Sequence, residues 1–566
     1  MPKTIRTFLL WLIPLAFLAV FYFYPLTSIF ALSLARSEAG WIAPFVEAIH
    51  SETVQRALWF TLWQATLSML LTLIVGLPGA YLLARYQFRG KALLRALTSV
   101  AFVMPTLVVA AGFNALLGPK GWINTGLMTL FQLDQPPIEF VNTLGAILAA
   151  HVFYNVSIVL RLVGDFWTRL DPRLEQAART LGANRWQTFR EITLPLLAPA
   201  IAAAALLIFI FDFTSFGVVL VLGGPHYATL EVEIYYQTIS LFNLPLAAVL
   251  SMLQLACTLA LTLVYTRLSA RLSRPLNQRS QAVTQKPLKS LRFRILAGGV
   301  VGFLLVLTTA PLAALAARSV TTLQAERTRQ GVLTPGLTLE FYQALTHNEQ
   351  QSLFYAPPST AIAISLGYAA TTVVLALILG LPAAWTLSHN NSKINQALDP
   401  VLMLPLGTSA VTLGLGFIVA LDSPPLDLRA SPLLIPIAHT LVAFPFVVRS
   451  LTPALRSIQP RLRQAAAVLG ASPRQVLRNI DLPLVGRALL VAATFAFTIS
   501  IGEFGATALV ARPEYPTIPI AIYRFLSRPG GLNYGQAMAL STILMLTTLA
   551  GMLAIERLRI SEGSEF

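Results

Sequence analysis

Four ionisable side chains stand where a chain this apolar has least use for them. Asp212 interrupts the apolar stretch 196–222, and Glu503 lies near the corresponding place in a second stretch, 485–510. His151 and His439 stand within the stretches 143–164 and 432–452. A charge surrounded by hydrocarbon is costly and usually faces a partner or a wet cavity. Asp212 and Glu503 therefore either line a polar route that favours a cation or tie helices together, with Arg161 and Arg449 as available partners. The histidines would need further His, Cys or carboxylate groups beside them to hold a metal. The other histidines, His50, His226, His347 and His389, are scattered without ligand spacing, so hydrogen bonding between helices is the stronger reading and no metal site is expected. Phe211, Phe213, Phe216, Tyr235 and Tyr236 can stack on an aromatic cation, or pack and anchor at the membrane interface. Together with Phe504 and Tyr523, the residues Asp212, Phe216, Tyr235 and Glu503 form the candidate path set.

A second kind of signal is polar and repeated. Gln176, Ala177, Ala178, Gly182, Ile192, Leu194 and Pro195 form a pattern Q-A-A-x3-G-x9-I-x-L-P. It returns 288 positions on (176 to 464) as Gln464, Ala465, Ala466, Gly470, Ile480, Leu482 and Pro483. Gln-Ala-Ala is good helix former, and its two small alanines let another surface approach closely. Gly182 and Gly470 can take the left-handed conformation that ends one short helix and redirects the chain. Residues 185–192 can form a second short helix with Trp186, Phe189 and Ile192 on one face, after which Leu194-Pro195 delivers the chain to the next apolar stretch. In the second copy Pro473 marks the helix start. An ordinary pair of interfacial amphipathic helices could look like one copy; two copies with the same internal spacing argue for a dedicated element.

These features need a scaffold, and composition supplies it. Of 566 residues, 56% are hydrophobic and 11% charged, with a mean hydropathy of +0.69, which marks a polytopic membrane protein. Apolar stretches able to cross about 30 Å of hydrocarbon fall near 8–32, 57–84, 93–117, 143–164, 196–222 and 245–267, then near 295–317, 359–388, 398–421, 432–452, 485–510 and 537–556. The first is longer than a signal-peptide core, so it reads as a retained helix despite Ser33-Leu34-Ala35, which resembles a cleavage site. The net charge of +16 resides in short segments between stretches, which argues against nucleic-acid binding. Lys3, Arg6, Arg85, Arg89 and Lys91 flank alternate ends, and Arg169, Arg173, Arg179, Arg185 and Arg190 crowd the first repeated loop. Glu38, Glu47 and Glu52 lie on the other side. The positive-inside rule then puts both termini in the cytoplasm. One cysteine, Cys257, excludes an intramolecular disulfide.

The repeat extends beyond the loops. His151, Arg161, Phe216-Gly217 and Ile234-Tyr235 recur at the same offset as His439, Arg449, Phe504-Gly505 and Ile522-Tyr523; Gly76-Leu77-Pro78 recurs 304 positions on (76 to 380) as Gly380-Leu381-Pro382. Equivalent segments share an orientation, so the halves are parallel repeats with the site expected at their interface. The domains read as 1–268 and 295–566, joined by a basic cytoplasmic linker, 269–294, with a polar external segment at 320–358.

The twin loops, at 170–195 and 458–483, resemble the cytoplasmic coupling loop of binding-protein-dependent ABC importer permeases, with Gln176 and Gln464 where that motif usually has Glu. Glu175 offers a carboxylate one position earlier in the first copy; Arg463 holds that place in the second. The resemblance covers nearly the whole chain and is strongest to fused permeases of the thiamine and ferric-iron importers, with sulfate, molybdate and polyamine permeases as more distant alternatives. The segment from Phe213 through Leu222-Gly-Gly-Pro to Glu233-Ile-Tyr looks most like the thiamine type, whereas Ser500-Ile-Gly-Glu-Phe-Gly-Ala is shared across several groups. What the resemblance implies is an all-α type I ABC importer permease fold of about 12 spans in the bacterial cytoplasmic (inner) membrane. It also implies two copies of a cytoplasmic ATPase that bind ATP and Mg and dock on the loops, and an external solute-binding protein. No G-x4-GK[ST] phosphate loop occurs in the chain; Gly90-Lys91 lacks the required glycine and hydroxyl. The chain is therefore not expected to be an enzyme or to bind a cofactor itself. An ion-coupled secondary transporter is the competing class, but it leaves the paired loops unexplained. Arg85-Tyr-Gln-Phe-Arg-Gly-Lys also lacks the acidic residue and leading glycine common in its second-span loop.

Overall fold

A computed structural model describes residues 3–34, 43–224, 226–272, 285–288, 290–325, 333–347, 357–389, 392–422 and 426–560. Ala35, Glu38 and parts of the linker and external segment lie outside them. Ten helices in it are long and apolar enough to cross a membrane, and two bent helix pairs raise the number to 12 if each is one span. The expected spans are present in order, and the first apolar stretch forms the helical run Leu10–Leu34.

The third span of each half is not the continuous rod expected from its apolar content. Lys91–Val103 and Thr106–Phe131 meet at 110°, and Lys393–Gly407 and Ala410–Ala420 at 94°. The first break falls at Met104-Pro105: proline has no N–H for the helical ladder, and the residue before it disfavours the α region, so Met104 is extended at φ −63°, ψ 138°. In the second, Thr408 is extended and Ser409 restarts the helix, its hydroxyl accepting from Val411 N and Thr412 N. The fifth spans also end sooner than expected, at Phe213 and Gly502, and short helices Gly217–Leu222 and Gly505–Val510 follow each turn.

In the most apolar 18-residue stretch of each fourth span, Leu144–Arg169 and Leu434–Ser457, 72% of the residues are buried, against 22% in that of Leu10–Leu34. The fourth spans are the centre of each half, and they carry His151 and His439. The repeated glycines hold them close to the second spans. A Cβ on Gly76 would lie 2.7 Å from Val159 Cβ, and one on Gly380 would lie 2.5 Å from Val447 Cγ1. Outside the helices, Thr321–Ala325 pairs antiparallel with Leu333–Leu337 in the polar segment 320–358. In the linker, Lys286–Pro287 pairs in parallel with Tyr86–Gln87.

Candidate coupling loops and the interface between the halves

Each repeated loop is a helix, a tight reversal and a second helix fused to the next span. Pro172–Thr180 ends in a Schellman closure, in which Gly182 N donates to Arg179 O and Ala183 N to Ala178 O. Gly182 has φ +93°, and a Cβ there would meet nothing within 4 Å, so glycine is required by the backbone turn and not by space. Pro460–Val468 closes identically through Gly470 N to Ala467 O and Ala471 N to Ala466 O, with Gly470 at φ +81°. The reversal leaves Leu181 88% and Leu469 87% exposed at the tips, with Trp186 at 67% and Val468 at 87%. Gln176, Ala177, Gln464 and Ala465 are exposed too, Ala178 is buried, and Ala466 is half-buried.

The second short helix is continuous with the span to which Leu194-Pro195 delivers the chain. Helix runs unbroken from Arg185 to Phe213 and from Arg474 to Gly502. Pro195 and Pro483 are accommodated by π-helical turns just ahead of them, Phe189–Thr193 and Leu477–Asp481. A proline ring would clash with the carbonyl four residues earlier in an α-helix; the wider turn relieves it. Ile192 and Ile480, half-buried, lie on those turns, while Leu194, Pro195, Leu482 and Pro483 are exposed.

Capping boxes, which the sequence reading overlooked, start both second helices. Asn184 Oδ1 accepts from Gln187 N at 2.8 Å and Asn184 N donates to Gln187 Oε1 at 2.9 Å. Ser472 and Gln475 repeat this at 3.4 and 2.7 Å. The N-x-x-Q and S-x-x-Q spacing carried that signal. Also unforeseen, Glu175 points back into its own half: its Oε1 accepts from Arg85 Nη2 at 2.5 Å and from Thr193 Oγ1 at 3.1 Å.

The histidines fasten spans, as hydrogen bonding between helices predicted. His151 Nδ1 lies 2.9 Å from Ser68 Oγ and 3.4 Å from Asp212 Oδ1, and Nε2 lies 2.8 Å from Ser215 Oγ. Asn155 Nδ2 donates to the same Asp212 oxygen at 2.7 Å. His439 Nδ1 meets Ser500 Oγ at 2.8 Å; Nε2 meets Thr507 Oγ1 at 2.8 Å and Glu503 Oε2 at 3.3 Å. Glu503 also accepts from Ala506 N at 2.9 Å and Thr507 N at 3.2 Å. The cations offered to these carboxylates point elsewhere. Arg161 donates to Ser99 Oγ, and Arg449 lies 3.8 Å from Asp399.

The aromatic members of the path set do come together across the halves. Phe216 and Phe504 stack with centroids 5.4 Å apart and planes 22° from parallel. Tyr235 lies 5.4 Å from Phe216 and Tyr523 5.6 Å from Phe504. At the membrane end opposite the loops, a cavity of about 500 Å³ opens between the halves, with Thr238, Ile239 and Phe242 on one wall and Asp422, Arg429 and Arg512 on the other.

Residues 76–274 and 372–559 both match the family described as binding-protein-dependent transport system inner membrane component. The chain belongs to this family. It is a fused, two-domain permease, a transport component of an ABC importer with the family domain present twice. Similar full-length proteins include the thiamine transport system permease protein ThiP of Escherichia coli K12, 28% identical over 501 residues and 88% of each chain. ThiP of Brucella abortus 2308 is 29% identical over 90% of this chain and 88% of its own. The probable ABC transporter permease protein y4fN of Sinorhizobium fredii is 27% identical over 97% and 96%. Among solved structures, a bacterial ABC transporter involved in import of the polysaccharide alginate aligns with 46% of this permease and 93% of its own chain, at 18% identity and a TM-score of 0.39.

The permease also carries carboxylates that composition does not single out, because they lie outside the long apolar stretches. Glu231 and Glu233 belong to the short helix Leu230–Tyr235. Glu231 accepts from Ser409 Oγ of the second half at 2.6 Å and from Gln254 Nε2. Glu233 Oε1 accepts from Gln237 Nε2 at 2.6 Å.

Proposed function

We propose that this permease imports thiamine, driven by two copies of a cytoplasmic ATPase and supplied by an external solute-binding protein. The observation that carries the cargo is the end-to-end similarity to ThiP proteins of two genera, each over most of both chains. The aromatic interface is compatible with it, since thiamine bears a flat cationic ring and π faces attract cations. In this reading the domains 1–268 and 295–566 act as two halves joined by the linker 269–294. They sit in the bacterial inner membrane with both termini in the cytoplasm.

ATP and Mg are held by the partner ATPases, whose closure moves the two loops. Leu181, Trp186, Val468 and Leu469 supply exposed apolar tips for docking. Because each second loop helix is one rod with the fifth span, displacement of the tip is transmitted without a hinge to the turns at Phe216 and Phe504. Separating that stacked pair opens the interface, and resetting it closes the route. Asp212 and Glu503 act here as fasteners of their own halves.

The test is uptake of labelled thiamine and, in parallel, labelled ferric iron in cells with and without this chain. Loss of thiamine flux alone on deletion is the expected result, with the ATPase co-purifying. Loss of iron flux alone would overturn the cargo.

A further inference from the structure

Four carboxylates occupy the buried middle of this permease, and their oxygens are not equally committed. Asp212 gives Oδ1 to Asn155 and His151, and its Oδ2 is sealed from solvent without a partner. Glu503 uses both oxygens on Ala506, Thr507 and His439. Glu231, 1% exposed, uses both on Gln254 and Ser409. Glu233 is different: Oε1 accepts from Gln237, while Oε2 has no hydrogen-bond partner among the described residues and is not among the sealed atoms. Glu233 and Glu503 are each 9% exposed, so what separates them is the commitment of their oxygens.

Its surroundings are aromatic and shared between the halves. Helix Leu230–Tyr235 continues into the π-helical turn Tyr236–Ser240, which places Tyr236 and Gln237 one turn beyond Glu233 on the same side. Tyr236 stands three residues on from Glu233, and the Tyr523 phenol of the second half lies beside those of Tyr235 and Tyr236. Tyr235 in turn contacts Phe216, which stacks on Phe504. Next to Gln237 in the chain, Thr238 begins the wall of the outer cavity. Gln237 Oε1 is buried and unpartnered. Glu233 thus precedes the cavity-lining Thr238 on one continuous helical run, with Tyr235, the residue against Phe216, between them in the chain. The second half has no copy of this carboxylate, because Ala521 occupies the repeat position.

We infer that Glu233 is the cargo-facing counter-charge of the route, receiving an aromatic organic cation whose ring lies against Tyr235, Tyr236 and Tyr523. Asp212 and Glu503, the carboxylates an apolar-run search selects, do not have this role. The inference rests on the reading that the cargo is thiamine. A desolvated cation–carboxylate contact is lost largely through its charge, so a neutral isostere of the acid should fail where a shorter acid partly succeeds.

The experiment compares wild type, Glu233→Gln and Glu233→Asp in cells carrying the permease with its own ATPase and binding protein. Three readouts are taken: uptake of labelled thiamine, competition by a neutral analogue lacking the thiazolium charge, and ATPase activity stimulated by loaded binding protein. Glu233→Gln should lower thiamine uptake at least about tenfold, retain membrane abundance and stimulated ATPase, and narrow the preference for thiamine over the neutral analogue. Glu233→Asp should recover part of the flux. Unchanged uptake and preference in Glu233→Gln overturns the inference, as does an equal fall in uptake, ATPase and abundance. If wild type moves no thiamine, the cargo reading fails and takes this inference with it; normal wild-type flux with an unaffected Glu233→Gln removes the inference alone.

Discussion

The two halves share a backbone plan and exchange the polar groups that fill it. At the loop base, Glu175 and Thr193 of the first half face each other, and Arg463 and Asp481, their repeat partners, do so in the second. The first contact is completed by Arg85; the second is a 2.7 Å ion pair with the Arg463 guanidinium 5.5 Å from the Trp385 ring. Around the histidines the exchange is again one for one. Asp212 and Ser215 become Ser500 and Glu503, so the carboxylate moves from the Nδ1 side of His151 to the Nε2 side of His439. Even a loop anchor is kept with a different hydroxyl: Leu230 N donates to Thr61 Oγ1 at 2.9 Å, and Ile518 N to Ser365 Oγ at 2.8 Å. What persists is the position of a donor or acceptor; which residue supplies it is free, provided its partner changes too.

The comparison breaks most sharply at the loop glycines. Gly182→Pro replaces a φ of +93° by one locked near −65°, at a cost of about 3 kcal/mol or more. Thiamine uptake should fall to background with the protein still in the membrane, and Gly470→Pro should match it. Retained uptake in either variant would show that one loop suffices.

The histidine knots should separate in size. His151→Ala strands Asp212 with one side-chain donor, Asn155, and should lower stability by about 1–3 kcal/mol. His439→Ala should cost less, because Glu503 keeps its bonds from Ala506 and Thr507. Thermal unfolding in detergent measures both; a larger loss for His439→Ala would contradict the ordering drawn from the extra bonds of Glu503.

The smallest effect sharpens the exchange itself. Glu175→Arg places a second cation beside Arg85 and should cost about 1 kcal/mol. Adding Thr193→Asp rebuilds the second-half pair and should recover part of that loss, read as a coupling energy in a double-mutant cycle. Strict additivity would mean that the two positions do not interact.

Much of this was legible in the chain. Hydrocarbon tolerates few polar residues, so spans, repeat and loops stand out in composition, and Gly182 and Gly470 were readable because only a left-handed turn needs glycine there. By its place in an apolar stretch Glu503 is the near-counterpart of Asp212; the repeat offset itself pairs Asp212 with Ser500 and Glu503 with Ser215, a detail available in the sequence. The bends at Met104 and Thr408 were less visible, since Pro105 also fits the first turn of a helix and Pro405 precedes its break by several residues.

By itself, then, the sequence determined the class, the parallel repeat and the position of the coupling elements, because each depends on local composition or on spacing along one helix. Tertiary structure alone decided which carboxylates are occupied. Asp212 Oδ1 is held by Asn155 and His151 of the fourth span while its Oδ2 is sealed without a partner, Glu231 is held by a serine of the other half, and Glu233 Oε2 has no hydrogen-bond partner among the described residues. Uniformly apolar helices have no polar stripe to fix their rotation, so only packing against neighbours brings these partners within reach.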